Sequence, residues 1–116
     1  MMIELELPYP PSVNHYYRRD GPRTLISRRG RAYRKSVCEV LAATGIKPLV
    51  GPLAVEIEMF PPDRRRRDVD NVQKALLDAL QHGGAYEDDS QIERLSIERF
   101  DPTRGGRMIV RLEERR

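Results

Sequence analysis

Two acidic clusters in this chain have residue types and spacings that could hold a divalent metal ion. In the first, Asp68 and Asp70 stand two residues apart, and Lys74 follows Asp70 by four. In an extended stretch, residues i and i+2 point to one side, about 6.6 Å apart along the chain. Two such carboxylates could share one ion or flank a pair of ions about 4 Å apart. On a helix, Lys74 would lie one turn beyond Asp70 on the same face.

The second cluster, Glu87-Asp88-Asp89, stands just before a predicted strand and could fold back to complete the ligand set. Its aspartates could instead simply solvate or cap a turn. Asn71 adds a neutral amide beside the first cluster. One cysteine, Cys38, and two histidines exclude an internal disulfide, a Cys-rich zinc site and a three-His centre. Any metal should therefore be a hard ion held by carboxylates.

The first cluster also has structural interpretations. Asp70 could cap a helix N-terminus, and Asp68 could neutralise the four arginines that precede it. Lys74 could pair with Asp70 or with Asp78 on an exposed helix face. The combination favours a catalytic role over these structural ones, because carboxylates, a lysine and an arginine run occur together at the junction of two predicted elements.

Positive charge is concentrated in two stretches. Lysine and arginine number 21 against 18 acids, and 18 of the 21 are arginine, which grips phosphate through a planar fork. One stretch covers 18–35 and contains a single acid, Asp20, and the other is 64–67. Tyr16 and Tyr17 directly precede the first stretch and favour nucleic acid, since aromatic rings stack on bases. A solvated basic face or a biased codon usage is the alternative interpretation.

Hydrophobic periodicity predicts the elements that must position these residues. Alternation of apolar and polar residues predicts four strands, at 2–7, 53–60, 92–100 and 107–113. The last two are joined by a turn at 101–106 that contains proline and two glycines.

Two helices are predicted. The first covers 28–44, with Ser27 as its N-cap and Gly45 in the stop position, and the second covers 70–81 and stops at Gly83-Gly84. The proline-containing segment 8–14 should be a loop, and the arginine-rich stretch after it a flexible hairpin or loop. The order is β-α-β-α-β-β, which predicts an α/β (α+β) fold with a mixed sheet packed against two helices.

Length and composition bound the class of protein. The chain has 116 residues, and its hydrophobic fraction of 39% suffices for one small core, so 1–116 should form a single domain. The longest unbroken apolar run, 40–43, is far shorter than the roughly 20 residues of a membrane span. Glu4 and Glu6 stand where a signal peptide would be basic and then apolar. We therefore expect a soluble cytoplasmic domain with no membrane partner.

The chain resembles the RusA family of Holliday-junction resolvases in four segments that follow one another in the family's order. These are PPSVNHYY at 10–17, DRRRRDVDNVQK at 63–74, LDAL at 77–80 and DDSQI at 88–92. The pattern D-x-D-N-x-x-K, followed by a helix and then D-D-x-Q, is far longer than a chance motif. The resemblance covers nearly the whole chain.

The resemblance implies a small α/β homodimer that binds four-way branched DNA and nicks two opposing strands in recombination and repair. Mg²⁺ would be the cofactor, with one or two ions per site, and Mn²⁺ could substitute. By position, Asp68, Asp70 and Asp89 would be the catalytic metal-binding acids and Lys74 the catalytic lysine. Glu87 stands where relatives often have an apolar residue, and this extra acid leaves the choice between Asp88 and Asp89 open.

The resemblance also implies a DNA-binding surface around each site. Its predicted members are Asn14, Tyr16, Tyr17, Arg18, Arg19, Arg28, Arg29, Arg31, Arg64, Arg65, Arg66, Arg67 and Asn71. Two other functions are kept as alternatives: a nucleic-acid-binding regulator without catalysis on the same fold, and a less selective nuclease for branched DNA. The absence of a Gly-rich phosphate loop argues against a general nucleotide-binding enzyme.

Overall fold

The computed structural model describes residues 2–115, which form six strands and three α-helices. In chain order these are β1 Met2–Leu7, α1 Val13–Tyr16, β2 Tyr17–Asp20, β3 Arg23–Ile26, α2 Arg28–Thr44, β4 Leu53–Phe60, α3 Gln73–His82, β5 Ile92–Arg99 and β6 Arg107–Glu114. Short 3₁₀ helices at Val69–Asn71 and Asp89–Gln91 stand on either side of α3. The mixed α and β content confirms the predicted fold class.

The main sheet has the strand order β1-β6-β4-β5. β6 runs antiparallel to both of its neighbours, whereas β4 and β5 are parallel. A parallel pair requires a crossover connection, and α3 lies within it. Strand alternation decides which residues enter the core, so that β4 buries Leu53, Val55, Ile57 and Met59 while Glu56 stays exposed. These side chains form one hydrophobic cluster with the buried faces of α2 and α3.

α2 begins and ends where the sequence predicts. The Ser27 side chain accepts a hydrogen bond from the Gly30 amide at 3.0 Å, and Gly45 adopts φ 67° to terminate the helix. A Cβ atom placed on Gly30 would lie 2.4 Å from the Tyr16 carbonyl oxygen. The first turn of α2 therefore packs directly against the backbone of α1.

The structure differs from the prediction before β2 and at the start of α3. Residues 13 and 14 belong to α1 instead of the predicted loop, and the arginine-rich stretch after them forms the β2–β3 hairpin, which confirms the hairpin alternative. α3 begins at Gln73 instead of residue 70, because the Asn71 amide bonds the Asp68 carbonyl at 3.2 Å and closes a 3₁₀ turn. Over residues 2–115, none of the helices combines the length and apolar character that crossing a membrane requires.

Candidate functional site

The chain enters α3 through the arginine loop 64–67 and the 3₁₀ turn that contains Asp70. Asp68 is extended immediately before this turn, and its side chain makes no capping hydrogen bond. Both aspartates are exposed, and within residues 2–115 neither carboxylate has a hydrogen-bond or ion-pair partner. The extended i, i+2 geometry predicted for this pair is wrong, because Asp70 lies in a 3₁₀ turn. Both carboxylates nevertheless stay available as oxygen ligands for a metal ion.

The structural interpretations of these two acids are not realised. Asp63, and not Asp68, pairs with two residues of the arginine loop: its Oδ1 lies 2.7 Å from Nη1 of Arg67 and its Oδ2 lies 3.7 Å from Nε of Arg65. Hydrogen bonds from the Arg67 side chain, and then from the Arg65 amide, lower the pKa of Asp63. Val72 occupies the N-cap position of α3, so Asp70 does not cap it.

Lys74 lies in the first turn of α3 over an aromatic ring. Its Nζ is 5.4 Å from the ring centroid of Tyr17, within the range of a cation–π contact. In the described chain it pairs with neither Asp70 nor Asp78, which excludes the predicted helix-face ion pair. Burial, then the charge of Asp78, raises the pKa of Tyr17, and Asp89 also raises it. Tyr17 therefore lies beneath the ammonium group of Lys74.

The two aspartates of the second acidic cluster differ, because Asp88 caps a turn and the carboxylate of Asp89 is unengaged in the described chain. The Asp88 carboxylate accepts the Ser90 amide at 3.0 Å, and Gln91 Oε1 accepts the Asp88 amide at 2.9 Å, which completes a capping box. Hydrogen bonds from Ser90 lower the pKa of Asp88. The Asp89 amide donates to Gln81 Oε1 at 2.9 Å, and its carboxylate has no hydrogen bond to residues 2–115. Asp89 is thus the better candidate ligand.

The three predicted metal ligands do not form a complete ligand set. In the part of the chain that the structure describes, no group of three His, Cys, Asp or Glu side chains is arranged to hold a metal ion. Asp68 and Asp70 precede α3, whereas Asp89 follows it. The donor chemistry still fits a hard divalent cation, because all three are exposed carboxylates without an internal partner. Metal binding by these residues stays a prediction.

Most of the predicted DNA-binding residues are accessible. The exposed ones are Asn14, Arg18, Arg19, Arg28, Arg29, Arg31, Arg64, Arg65 and Arg66, while Tyr17 and Asn71 are half-buried. Arg31 also donates to the Ile26 carbonyl at 3.0 Å. The β2–β3 hairpin, the start of α2 and the arginine loop supply these residues, so contact with DNA through them stays a prediction.

Two of the predicted DNA-binding side chains are engaged within the domain. Tyr16 is fully buried and its hydroxyl donates to Asp78, so its ring cannot stack on a base. Arg67 is only 18% exposed, because it pairs with Asp63 and its guanidinium lies 5.9 Å from the ring centroid of Tyr9. Its guanidinium is therefore paired within the arginine loop, and contact of Arg67 with DNA stays a prediction.

Sequence reasoning missed a network that joins α1, α2 and α3. Arg34 donates to Asp78 Oδ2 from Nη2 at 2.7 Å and from Nε at 3.1 Å, and its Nε also lies 2.9 Å from the Tyr16 hydroxyl oxygen. The sequence gives little indication of this network, because Arg34 is one of many arginines in the stretch 18–35 and Asp78 looks like an ordinary acid on an exposed helix face. The network fixes Tyr16 and, through the chain, the adjacent Tyr17 beneath Lys74.

Comparison with known proteins gives consistent matches across the chain. The family model described as Endodeoxyribonuclease RusA matches residues 8–113. The crossover junction endodeoxyribonuclease rusA of Enterobacteria phage 82 is 41% identical over 95% of this chain and 92% of its own length. The RusA protein of Escherichia coli (strain K12) is 40% identical with the same coverage, and that of Enterobacteria phage HK97 is 39% identical over 93% of this chain and 91% of its own.

Proposed function

The chain belongs to the RusA family of endodeoxyribonucleases, and from this premise we propose that it resolves four-way DNA junctions by paired symmetric nicks in recombination and repair. The observation that carries the proposal is the 40% identity to a crossover junction endodeoxyribonuclease over 95% of the chain. The family match spans the arginine loop, α3 and both acidic clusters. We therefore place the chemistry at these elements, within one domain.

We assign Asp68, Asp70 and Asp89 as the metal-binding acids of this site. Their carboxylates have no partner within residues 2–115, although four arginines directly precede Asp68. Asp88 is not assigned, because its carboxylate is used by the capping box. A divalent ion, for which we propose Mg²⁺ with Mn²⁺ as a substitute, would supply Lewis-acid stabilisation of phosphoryl charge and lower the pKa of water.

We assign Lys74 as the catalytic lysine. Its ammonium contacts the Tyr17 ring and no described carboxylate, so its charge is not neutralised within the described chain. It can therefore stabilise negative charge that develops on the scissile phosphate. Arg64 and Arg66, on the loop before Asp68, would hold the neighbouring phosphates and position the strand.

We propose that the active species is a homodimer. A four-way junction presents two strands for symmetric cutting, and one chain of this size supplies one such site. A two-fold dimer can match the symmetry of the junction. Gel filtration at the working concentration tests this, because a strictly monomeric active enzyme would contradict it.

The experiment that tests the proposal is cleavage of a synthetic four-way junction with and without Mg²⁺. Asp70→Asn should lower the cleavage rate by about a hundredfold or more, in the range lost with a catalytic group. Junction binding should survive or tighten, because a negative charge close to phosphate is removed. Glu39→Gln, at an exposed acid on α2, makes the same charge change and should cut like the parent protein.

The outcomes separate the alternatives. Loss of binding together with cleavage in a folded Asp70→Asn variant would refute the site assignment. Lys74→Ala should reduce turnover more than affinity, and unchanged turnover would remove Lys74 from catalysis. A parent protein that binds the junction without cutting it would be the regulator, and equal rates on junction, fork and duplex would indicate the less selective nuclease.

A further inference from the structure

A cleft of about 530 Å³ opens where β4 and β5 end, and none of the proposed catalytic acids lines it. Its volume lies within the range of small-molecule sites, roughly 300–1,000 Å³. Residues that can contact a nucleotide make up most of its lining, namely Arg64, Arg65, Arg66, Arg99, Phe100 and Asp101. The cleft therefore combines positive charge with an aromatic surface.

The aromatic surface is the outer end of a stack that is already formed. The rings of Phe60 and Phe100 are 5.2 Å apart between centroids and 20° from parallel, and Arg107 lies 4.6 Å from the centroid of Phe60. Phe60 is on β4, between β6 with Arg107 and the end of β5 with Phe100. The Phe100 amide donates to the Met59 carbonyl at 2.8 Å, and 36% of the residue is exposed. The stack is thus fixed while one aromatic surface stays open.

Unpaired positive charge lies beside this ring. Within residues 2–115, the side chains of Arg64 and Arg66 have no hydrogen-bond or ion-pair partner. The Arg65 side chain is 82% exposed, and its ion pair is long, with Nε 3.7 Å from Oδ2 of Asp63. Arg99 donates from Nη1 to the Arg67 carbonyl at 2.6 Å and so ties the arginine loop to the strand end before Phe100. Proteins that bind single strands combine these two features, since guanidinium groups hold phosphate and aromatic rings stack on bases.

We propose that this cleft binds one unpaired nucleotide of branched DNA, with its base stacked on Phe100 and its flanking phosphates held by Arg64 and Arg66. The inference rests on the proposed function and deepens it, because unpairing at the branch point becomes part of substrate recognition. Asp101 lies at the same rim as an acceptor for amino groups of the base. In a continuous duplex the bases stack on one another, so a duplex offers the cleft phosphates alone.

The chain contains no tryptophan, which allows a direct spectroscopic test. Phe100→Trp places a single indole in the cleft, and its emission should be quenched when single-stranded decathymidylate binds in EDTA. An abasic strand with the same number of phosphates should bind without quenching. Leu95→Trp is the matched control, because Leu95 is 39% exposed on β5 outside the cleft lining, and its emission should not change.

Affinity for decathymidylate provides the second measurement. Phe100→Ala should weaken binding by about 5- to 150-fold, the range measured for loss of one stacked base. Phe100→Tyr should bind like the parent protein, and Leu95→Ala should not change affinity. Binding of decathymidylate without quenching of Phe100→Trp would overturn the proposal, and so would parental affinity in Phe100→Ala. If Phe100→Ala does not fold, the Trp and Tyr variants decide the result.

Failure of this inference can be distinguished from failure of the proposed function. The binding measurements contain no metal and need no cleavage. If the parent protein does not cut junctions while Phe100→Trp is quenched, the nuclease proposal fails and the nucleotide site stands. If the parent protein cuts junctions and Phe100→Trp is not quenched, only the nucleotide site fails.

Discussion

Removal of the buried Tyr16 hydroxyl is a quantitative test of how the helices are held together. Tyr16→Phe keeps the fully buried ring and deletes only the group that donates to Asp78 and accepts from Arg34 Nε at 2.9 Å. A hydrogen bond to a charged group contributes about 1.5–3 kcal/mol. Asp78 keeps its two bonds from Arg34, and its side chain is 30% exposed, so water can replace part of the loss.

The expected cost in the free energy of unfolding is therefore at the lower end of that range, about 1.5 kcal/mol. For a domain of this size that corresponds to a fall in Tm of roughly 6 °C. Tyr33→Phe is the matched control, because it removes a similarly buried tyrosine's hydroxyl that bonds a neutral acceptor, the Pro8 carbonyl at 2.7 Å. Its cost should be smaller, about 1 kcal/mol.

Urea unfolding followed by circular dichroism, without metal, measures these differences. A double-mutant cycle with Asp78→Asn isolates the charged interaction, since Tyr16→Phe should cost much less once the carboxylate is an amide. The reasoning is refuted if Tyr16→Phe costs under about 0.5 kcal/mol, which is within the usual range of a neutral surface change. Equal costs of Tyr16→Phe in the parent protein and in the Asp78→Asn variant would show that the hydroxyl does not interact with the charge.

Two further predictions concern pH. Asp88→Ala should lower Tm at neutral pH and converge with the parent protein in acid. The lowered pKa of Asp88 gives stability that is present above the unfolded pKa of about 3.9 and is lost as pH falls through the lower folded value; a gap that persists at pH 2 would contradict this. Burial raises the pKa of Tyr16, Tyr33 and Tyr86, so stability should fall above about pH 10 by up to about 1.4 kcal/mol per pH unit for each tyrosine. Urea unfolding at several alkaline pH values measures this slope, and Tyr33→Phe should reduce it.

Elements with local signals could be predicted from the sequence. α2 follows from Ser27 and Gly45, whose side-chain cap and left-handed backbone are properties of single residues. β4 likewise follows from its own residues, because apolar side chains at every second position form the face that is buried in the core. Strand order does not follow from local signals: β6 lies between β1 and β4, so the turn at 101–106 leads across β4 and does not form a hairpin. That arrangement is decided by packing over the whole chain.

The candidate site shows the same division. Asp68, Asp70 and Lys74 could be singled out from type and spacing, but their relative geometry could not, because the 3₁₀ turn displaces the start of α3. Tyr16 illustrates a second limit. Its position beside arginines suggests a stacking residue, yet it contacts Asp78, 62 residues along the chain. Burial depends on such distant contacts, which composition and periodicity do not encode.

The close approach at Gly30 has a consequence for the basic surface. Because nothing larger than hydrogen fits between this residue and the Tyr16 carbonyl, the rotation of α2 about its own axis is fixed at its first turn. Arg28, Arg29 and Arg31 are the residues that this rotation turns outward. A methyl group at position 30 would require α2 to rotate or to move away from α1. Either movement would displace the backbone that carries these three arginines, so the absence of a side chain at Gly30 helps to position part of the basic surface.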